Sequence, residues 1–192
     1  RVTSVAKRRK MVELAEKYNT FIVEDAPYTL LSFSGEIPPA IKSFDTSERV
    51  IYIGSVSKIM APGMRVGWTV GSLHFTQQMV YIKMIDDLQV NNLAQRQVHR
   101  YLSEYDVDEH LDTVRRVYAH RRDLMVEAVR ESFPQGTRLV VPEGGMFMWL
   151  ELPEGYDAEA LFAPVFAENI AFVPGSKFYA APGRGKNCMR LN

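Results

Sequence analysis

The chain has 192 residues, 46% of them hydrophobic, and it is long enough to bury a sizeable core. Its 23 lysine and arginine residues balance its 23 aspartate and glutamate residues, and this zero net charge argues against nucleic acid or an anionic membrane as a partner. The one cysteine, Cys188, excludes an internal disulfide and predicts a reducing compartment, the cytoplasm. No apolar run reaches the roughly 18 residues that a membrane span requires.

Hydrophobic periodicity predicts an α/β arrangement over the first part of the chain. An amphipathic helix is predicted from Ala6 to Tyr18, and a short apolar strand follows at 21–24. β-Branched and aromatic residues predict a second, buried strand at 50–54. After a turn at Pro62-Gly63, a third strand is predicted at 66–71.

The remainder is predicted to be helical at first and then mixed. Helices are expected at about 75–88 and 93–102, and one long helix at 108–132, capped by Asp108 or the residue before it. Strands at 138–141, 146–152, 170–173 and 188–191 surround a helix at 158–168. We place a domain boundary inside the long helix, which divides the chain into residues 1–115 and a small α+β domain at 116–192. The four histidines lie far apart, so no metal site is predicted.

The segment after the second strand contains a lysine between hydroxyl-bearing and basic residues. Ser55 and Ser57 precede Lys58, and Arg65 follows seven residues later. A lysine can form an imine with a carbonyl cofactor, and hydroxyls with an arginine can hold a phosphate. Pyridoxal 5′-phosphate (PLP) carries both an aldehyde and a phosphate. Taken alone, the same pattern is equally expected of an ordinary surface loop.

A second motif, Asp25-Ala26-Pro27-Tyr28, ends the first strand. A buried carboxylate is costly unless it is paired, so Asp25 at a strand end requires a cationic partner such as a protonated pyridine nitrogen. At about 4 Å and an effective dielectric near 20 such a pair is worth about 4 kcal/mol, which keeps the ring protonated and makes it an electron sink. Tyr28 is a candidate hydrogen-bond donor to the phenolic oxygen of the ring.

With both motifs present, the chain resembles the fold-type-I PLP enzymes and, within them, the class I/II aminotransferases. The resemblance extends to residues 144–149 (GGMFMW), 173–179 (VPGSKFY) and 188–192 (CMRLN). It is greatest for the branch that holds 2-aminoadipate, kynurenine and aromatic or branched-chain aminotransferases. The same branch supplies the C-terminal domains of some transcription regulators.

The resemblance implies a role for each of the matching residues. Lys58 corresponds to the imine-forming lysine that then relays the substrate proton, and Arg190 corresponds to the arginine that receives the substrate α-carboxylate. The cofactor contacts implied are those of Asp25 with the pyridine nitrogen, Tyr28 with O3′, and Ser55, Ser57 and Arg65 with the phosphate. It also implies that the three strands of the first part lie side by side, the last of them antiparallel.

The resemblance further implies that about half of the family's polypeptide is absent upstream, so we expect this chain to be a C-terminal fragment. The missing part would hold the helix N-terminus that cradles the phosphate, the aromatic that stacks on the ring, and an asparagine. The predicted activity is amino-group transfer between an amino acid and a 2-oxo acid, by a homodimer when full length. Two alternative functions are left open by the sequence. One is a PLP-binding effector domain of a transcription regulator, and the other is a lyase or decarboxylase of the same fold. The substrate side chain is not predicted.

Overall fold

Two units, Arg1–Arg115 and Arg116–Asn192, make up the chain, and each is built on its own small β-sheet. The computed structural model describes residues 3–34 and 36–192, so that Arg1, Val2 and Gly35 lie outside the description. Over those described ranges, no helix has the length and apolar character needed to cross a membrane.

The first unit contains a three-stranded sheet in the order β1-β2-β3. Helix α1 (Val5–Lys17) precedes β1 (Ile22–Asp25), β2 (Val50–Ser55) and β3 (Gly67–Val70). Strand β1 pairs in parallel with β2, and β2 pairs antiparallel with β3. The arrangement that the resemblance implies, three strands side by side with the last of them antiparallel, is thereby confirmed.

The core of this sheet is aliphatic and lies against α1. Val50 of β2 is fully buried and packs with Val12 of α1 and with Ile41, while Ile22 and Phe44 cover the cluster. Ser4 caps α1, because its hydroxyl accepts a hydrogen bond from the Lys7 amide at 3.5 Å. Helix α1 therefore forms a layer that packs against one face of the sheet.

Three further helices follow the sheet: α2 (Leu73–Asp86), α3 (Asn92–Glu104) and α4 (Val107–Ser132). The last begins one residue earlier than predicted, and the expected cap was wrong. The Asp106 carboxylate accepts a hydrogen bond from the Glu109 amide at 3.0 Å and so caps α4. Helix α4 continues from the first unit into the second.

The second unit holds a four-stranded antiparallel sheet in the order β4-β5-β7-β6. Its elements are β4 (Arg138–Val140), β5 (Met148–Glu151), α5 (Ala158–Ala167), β6 (Val173–Pro174) and β7 (Cys188–Leu191). Its core is built from Val126 and Val129 of α4, with Leu150, Phe172 and Met189 among the other buried residues. Cys188 is buried in β7, as predicted.

The strand predicted at 170–173 is wrong. Only Val173 and Pro174 pair with β7, whereas the side chain of Ile170 is 61% exposed. The Ile170 amide still donates to the Val165 carbonyl at 3.3 Å in the turn that ends α5, so the strand starts only at Val173. Proline has no amide hydrogen to donate, and Pro174 lies at the edge of the sheet.

Candidate active site

The ends of β1 and β2 place several predicted site residues at one edge of the first sheet. Asp25 pairs in register with Ile53, and the Ala26 amide continues the ladder to the Ile53 carbonyl at 3.0 Å. Ser55, the last residue of β2, lies opposite Gly67, where β3 begins. The carboxyl ends of two parallel strands thus meet, and open α/β sheets bind ligands at such an edge.

Two adjacent acids at the end of β1 lie on opposite faces of the sheet, since strand side chains alternate. Glu24 is buried and its carboxylate accepts hydrogen bonds from Arg8 Nη1 at 3.1 Å and from the amides of Ile41 and Lys42 at 2.8 and 3.0 Å. Asp25 is exposed, and in the described part of the chain its carboxylate has no hydrogen bond or ion pair. The burial argument made for Asp25 is therefore wrong, because the buried acid is Glu24.

Lys58 lies in a tight turn that directly follows β2. The amides of Ile59 and Met60 both donate to the Val56 carbonyl, at 3.2 and 2.9 Å. Val56 and Ile59 are buried and anchor the turn, while Lys58 between them is only half-buried. Lys58 Nζ lies 6.0 Å from the centre of the Tyr28 ring. The amine and the phenol are therefore on the same side of the sheet edge.

The two serines of the lysine motif are hydrogen-bonded to each other. The Ser55 hydroxyl accepts from the Ser57 amide at 3.1 Å and donates to the Ser57 hydroxyl oxygen at 2.9 Å or to the Val66 carbonyl at 3.4 Å. Because a hydroxyl has one hydrogen, that of Ser55 is used internally, whereas the hydrogen of Ser57 is left to donate outwards. The geometry thus favours Ser57 over Ser55 as a donor to an anion.

Arg65 stands at the end of the short 3₁₀ turn Pro62–Met64 with a left-handed backbone, φ 53°. Its guanidinium is exposed and makes one long contact, from Nη1 to the Pro62 carbonyl at 3.5 Å. Four of its five N–H groups have no partner among the described residues, so the guanidinium is available to an anion.

Arg190 belongs to the second unit, where it sits on β7 between Trp149 of β5 and Val173 of β6. Its guanidinium carbon lies 4.0 Å from the centre of the Phe147 ring and 5.0 Å from that of Phe178. Its Nε is buried, yet within the described ranges it has no hydrogen-bond acceptor. An unsatisfied buried donor is costly, so Nε of Arg190 has hydrogen-bonding capacity that the described residues leave unused.

The second unit also contains a cleft of about 230 Å³ beside α4. Gly145 lines it with a left-handed backbone, φ 80°, and Phe147 forms part of its wall. The remaining lining residues are Tyr118, Arg121, Arg122, Met125, Pro142, Met146, Met148 and Asn192. Among the residues that the structure describes, no cluster of histidine, cysteine and acidic side chains is suited to a metal ion.

The parallel strand pair with a lysine turn at its carboxyl edge, followed along the chain by an antiparallel unit, agrees with the fold-type-I class that the sequence predicts. The family model for "Aminotransferase class I and II" matches residues 1–192. The chain therefore belongs to the class I and II aminotransferase family, and the family and fold class predicted from the sequence are confirmed.

Several relatives are aminotransferases. The chain is 42% identical over 192 residues to aromatic-amino-acid aminotransferase 1 of Thermococcus litoralis, covering 100% of this chain and 46% of the relative. It matches the structure of a multiple substrate aminotransferase from Thermococcus profundus at TM-score 0.92 and 42% identity, covering 100% and 47%. It also matches LysN, an α-aminoadipate aminotransferase from Thermus thermophilus complexed with N-(5′-phosphopyridoxyl)-L-leucine, at TM-score 0.90 and 36% identity, covering 100% and 49%.

Regulators are also found among the relatives. The uncharacterized HTH-type transcriptional regulator YdcR of Escherichia coli (strain K12) is 31% identical over 172 residues, covering 90% of this chain and 36% of the regulator. The chain spans about half the length, or less, of the curated relatives that it matches.

Proposed function

We propose that the full-length protein is a PLP-dependent aminotransferase that moves an amino group between an amino acid and a 2-oxo acid. The observation that carries the proposal is the sheet edge where Lys58 Nζ lies 6.0 Å from the Tyr28 ring, beside the strand end that holds Asp25. An amine, a phenol and a carboxylate are the groups that such a cofactor requires on one side. The full-length protein is proposed to act as a homodimer in the cytoplasm.

The side chains at this edge fit pyridoxal 5′-phosphate. The exposed Asp25 carboxylate would hold a protonated ring nitrogen, and the outward hydrogen of Ser57 together with the Arg65 guanidinium would hold the phosphate. Ser55 would orient Ser57 through the hydrogen bond between the two hydroxyls. When bound, the cofactor supplies an electron-withdrawing ring that stabilises a carbanion at the substrate Cα.

Lys58 is assigned the proton transfer of the reaction. A lysine amine on a short turn can take the proton from the substrate Cα as a general base and return it to another carbon as a general acid. Arg190 is assigned the α-carboxylate, because its planar guanidinium offers two parallel N–H donors and its Nε lacks an acceptor among the described residues.

The two alternatives of the sequence argument are less favoured. A transcription-regulator effector domain would share the sheet edge, but the identity to aromatic-amino-acid aminotransferase 1, 42%, exceeds the identity to the regulator YdcR, 31%. A lyase or decarboxylase would also need Lys58 and Asp25. A decarboxylase must release the carboxylate that Arg190 is proposed to hold, so that role disfavours it. A lyase that keeps the carboxylate is disfavoured only by the 42% identity to an aminotransferase.

Amino-group transfer by the full-length protein tests the proposal. With added PLP, aromatic amino acids, kynurenine and 2-aminoadipate are each paired with 2-oxoglutarate, and formation of glutamate is measured. We expect turnover with at least one donor, none with Lys58→Ala, and turnover close to wild type with the exposed-lysine control Lys10→Ala. Borohydride reduction with PLP followed by peptide mapping is expected to label Lys58. Cofactor binding without turnover for any donor, or label on a different lysine, would contradict the proposal.

A further inference from the structure

The first turns of helix α4 contact two separate loops of the candidate site. His110 hydrogen-bonds the backbone carbonyl of Ile59, and Arg115 hydrogen-bonds that of Leu30. Ile59 directly follows Lys58, and Leu30 lies two residues after Tyr28. One rigid helix therefore holds both the turn that bears the lysine and the turn that bears the tyrosine.

His110 reaches the lysine turn over a sequence distance of 51 residues. Its Nε2 lies 2.8 Å from the Ile59 carbonyl oxygen. A carbonyl only accepts, so Nε2 must carry a hydrogen and donate it. The imidazole packs edge-on against Tyr101 of α3 at 6.0 Å between ring centres, and Tyr101 stacks on Tyr105 at 5.3 Å. The donor is therefore held in a fixed orientation by aromatic neighbours.

Arg115 makes the equivalent contact with the tyrosine turn. Its Nε donates to the Leu30 carbonyl at 2.9 Å, while its Nη1 binds Asp112 at 2.8 Å. The side chain is only 12% exposed, although its acid partner is 68% exposed. The next residue, Leu31, is fully buried and donates its amide to the Tyr28 carbonyl at 2.9 Å. The contact with Arg115 thus secures the turn immediately after Tyr28.

We propose that His110 and Arg115 are positioning residues that set the placement of Lys58 and Tyr28 from α4. The inference rests on the proposed roles of Lys58 and Tyr28. Neither turn belongs to a strand ladder, so a hydrogen bond from α4 adds a fixed attachment to the buried side chains that already anchor it. Misplacement of a catalytic group by about 1 Å costs on the order of 100-fold in rate, so even a modest loosening of these turns would be measurable.

The role of His110 is tested in the full-length protein with three substitutions. Leucine at 110 removes the donor, asparagine keeps an amide too short to reach the carbonyl, and glutamine places an N–H near the position of Nε2. The matched control is His120→Leu, which changes an exposed histidine on the same helix. We expect His110→Leu and His110→Asn to lower kcat about 10-fold with KM for the amino acid within about twofold. His110→Gln is expected to recover most of kcat, and His120→Leu to match wild type.

A second readout needs no cofactor. The acylation rate of Lys58 in the cofactor-free protein is measured by peptide mass spectrometry and divided by the rate of exposed Lys10. Loss of the His110 hydrogen bond should free the turn and expose the half-buried lysine, raising this ratio by roughly threefold or more. General destabilisation would not select Lys58 in this way. His110→Gln should return the ratio towards the wild-type value.

The Arg115 contact is tested by hydrogen exchange. In Arg115→Met, the backbone amides of residues 29–31 should exchange at least about 10-fold faster than in wild type, because their turn loses its partner on α4. The control Arg130→Met changes an exposed arginine in the last turn of the same helix and should leave this segment unchanged.

Unchanged kcat and an unchanged Lys58 acylation ratio in His110→Leu would overturn the proposal for His110, and unchanged exchange at 29–31 would overturn it for Arg115. If His110→Leu does not fold, the comparison of asparagine with glutamine decides the matter. The full-length protein could show the expected changes in acylation and exchange and yet transfer no amino group. That result would support the positioning contacts and would refute the proposed function.

Discussion

The two adjacent acids at the end of β1 have different environments: one is buried in an ion pair and the other is exposed at the sheet edge. Glu24 faces the packed side of the sheet, where Arg8 and two backbone amides neutralise its carboxylate. Asp25 faces the other side and is left with no protein partner among the described residues. Because the side-chain period of a strand is two, a shift of register by one residue would exchange these environments. The structural ion pair at Glu24 therefore fixes which acid is presented at the sheet edge.

Asp25 is predicted to act through its charge. Asp25→Asn in the full-length protein keeps the shape of the side chain but removes an ion pair worth about 4 kcal/mol at close range. We expect kcat/KM at saturating PLP to fall by on the order of 100-fold or more, and Asp25→Glu to retain more activity than Asp25→Asn. Steady-state kinetics provide the measurement, with Asp87→Asn at an exposed ion pair as the control. Equal turnover of the asparagine and glutamate variants would show that the charge has no role.

Arg190 is predicted to act through its shape as well as its charge. Lysine at 190 keeps the positive charge but cannot form two parallel hydrogen bonds with a carboxylate, and its ammonium would not stack between Phe147 and Phe178. We expect KM for both the amino acid and the oxo acid to rise at least about 10-fold, with the dissociation constant for PLP little changed. The exposed Arg138 gives the matched control, Arg138→Lys. Wild-type KM values in Arg190→Lys would exclude Arg190 as the carboxylate receptor.

At the level of elements, local sequence patterns were sufficient to predict the main strands and helices. The 26 residues of α4 carry a helical pattern that extends over about seven turns, and the paired strands are bounded by proline and glycine. The sequence also located the lysine and aspartate motifs, because each follows a short apolar strand. It could not identify β6, whose two residues are too few to show a period.

Contacts between residues far apart in the sequence could not be predicted from local sequence patterns either. Glu24 is neutralised by residues 16 to 18 positions away, and His110 contacts Ile59 across 51 positions. Nothing in the immediate neighbourhood of either residue indicates its partner. For Glu24 the available signal was its position next to Asp25 in a strand, since one of two adjacent side chains must face the packed side.

The stability of the loop that leads into β2 is predicted to depend on pH, because Asp45 titrates there with a lowered pKa. Burial alone would raise the pKa of this carboxyl, but hydrogen bonds from Lys42 and from the amides of Val50 and Arg49 outweigh it and lower the pKa to about 2. Since the folded pKa lies below the ordinary value of 3.8, the stabilisation is complete above about pH 4 and is lost as the pH falls towards 2.

A variant at Asp45 measures this contribution. The difference in pKa corresponds to about 2 kcal/mol, so Asp45→Asn should lower the free energy of unfolding at pH 7 by about that amount. Denaturant unfolding of the full-length protein between about pH 2 and 7 is the measurement. The difference between wild type and variant should shrink as the pH falls below about 4, whereas Asp87→Asn should stay close to wild type. A difference that is constant with pH would show that the charge of Asp45 is not involved.

At the level of the whole molecule, the first unit leaves much apolar surface uncovered. None of the fourteen residues of α2 is buried, and Ile85 and Leu88 near its end are 87% and 77% exposed. Strands β1 and β3 are both edges of their sheet, and Val23 and Trp68 on them are 60% and 44% exposed. Exposed edges with apolar side chains are templates for pairing with another chain. We predict that a longer polypeptide or a second subunit packs on these surfaces.

The last prediction follows from that exposure and from the half-length match to relatives. Produced alone, the 192-residue chain is expected to self-associate and to bind PLP weakly, because Asp25, Tyr28, Ser57, Lys58 and Arg65 would contact the cofactor from one side only. Sedimentation velocity and PLP titration, compared with the full-length protein, provide the measurements.

Lysine substitutions at Val23 and Trp68 should reduce self-association by blocking the sheet edges, while lysine at exposed Leu124 in the second unit should not. Residues 116–192, with their own sheet and core, should remain monomeric and compact. A monomeric 192-residue chain that binds PLP tightly and with one-to-one stoichiometry would mean that these side chains suffice without further polypeptide.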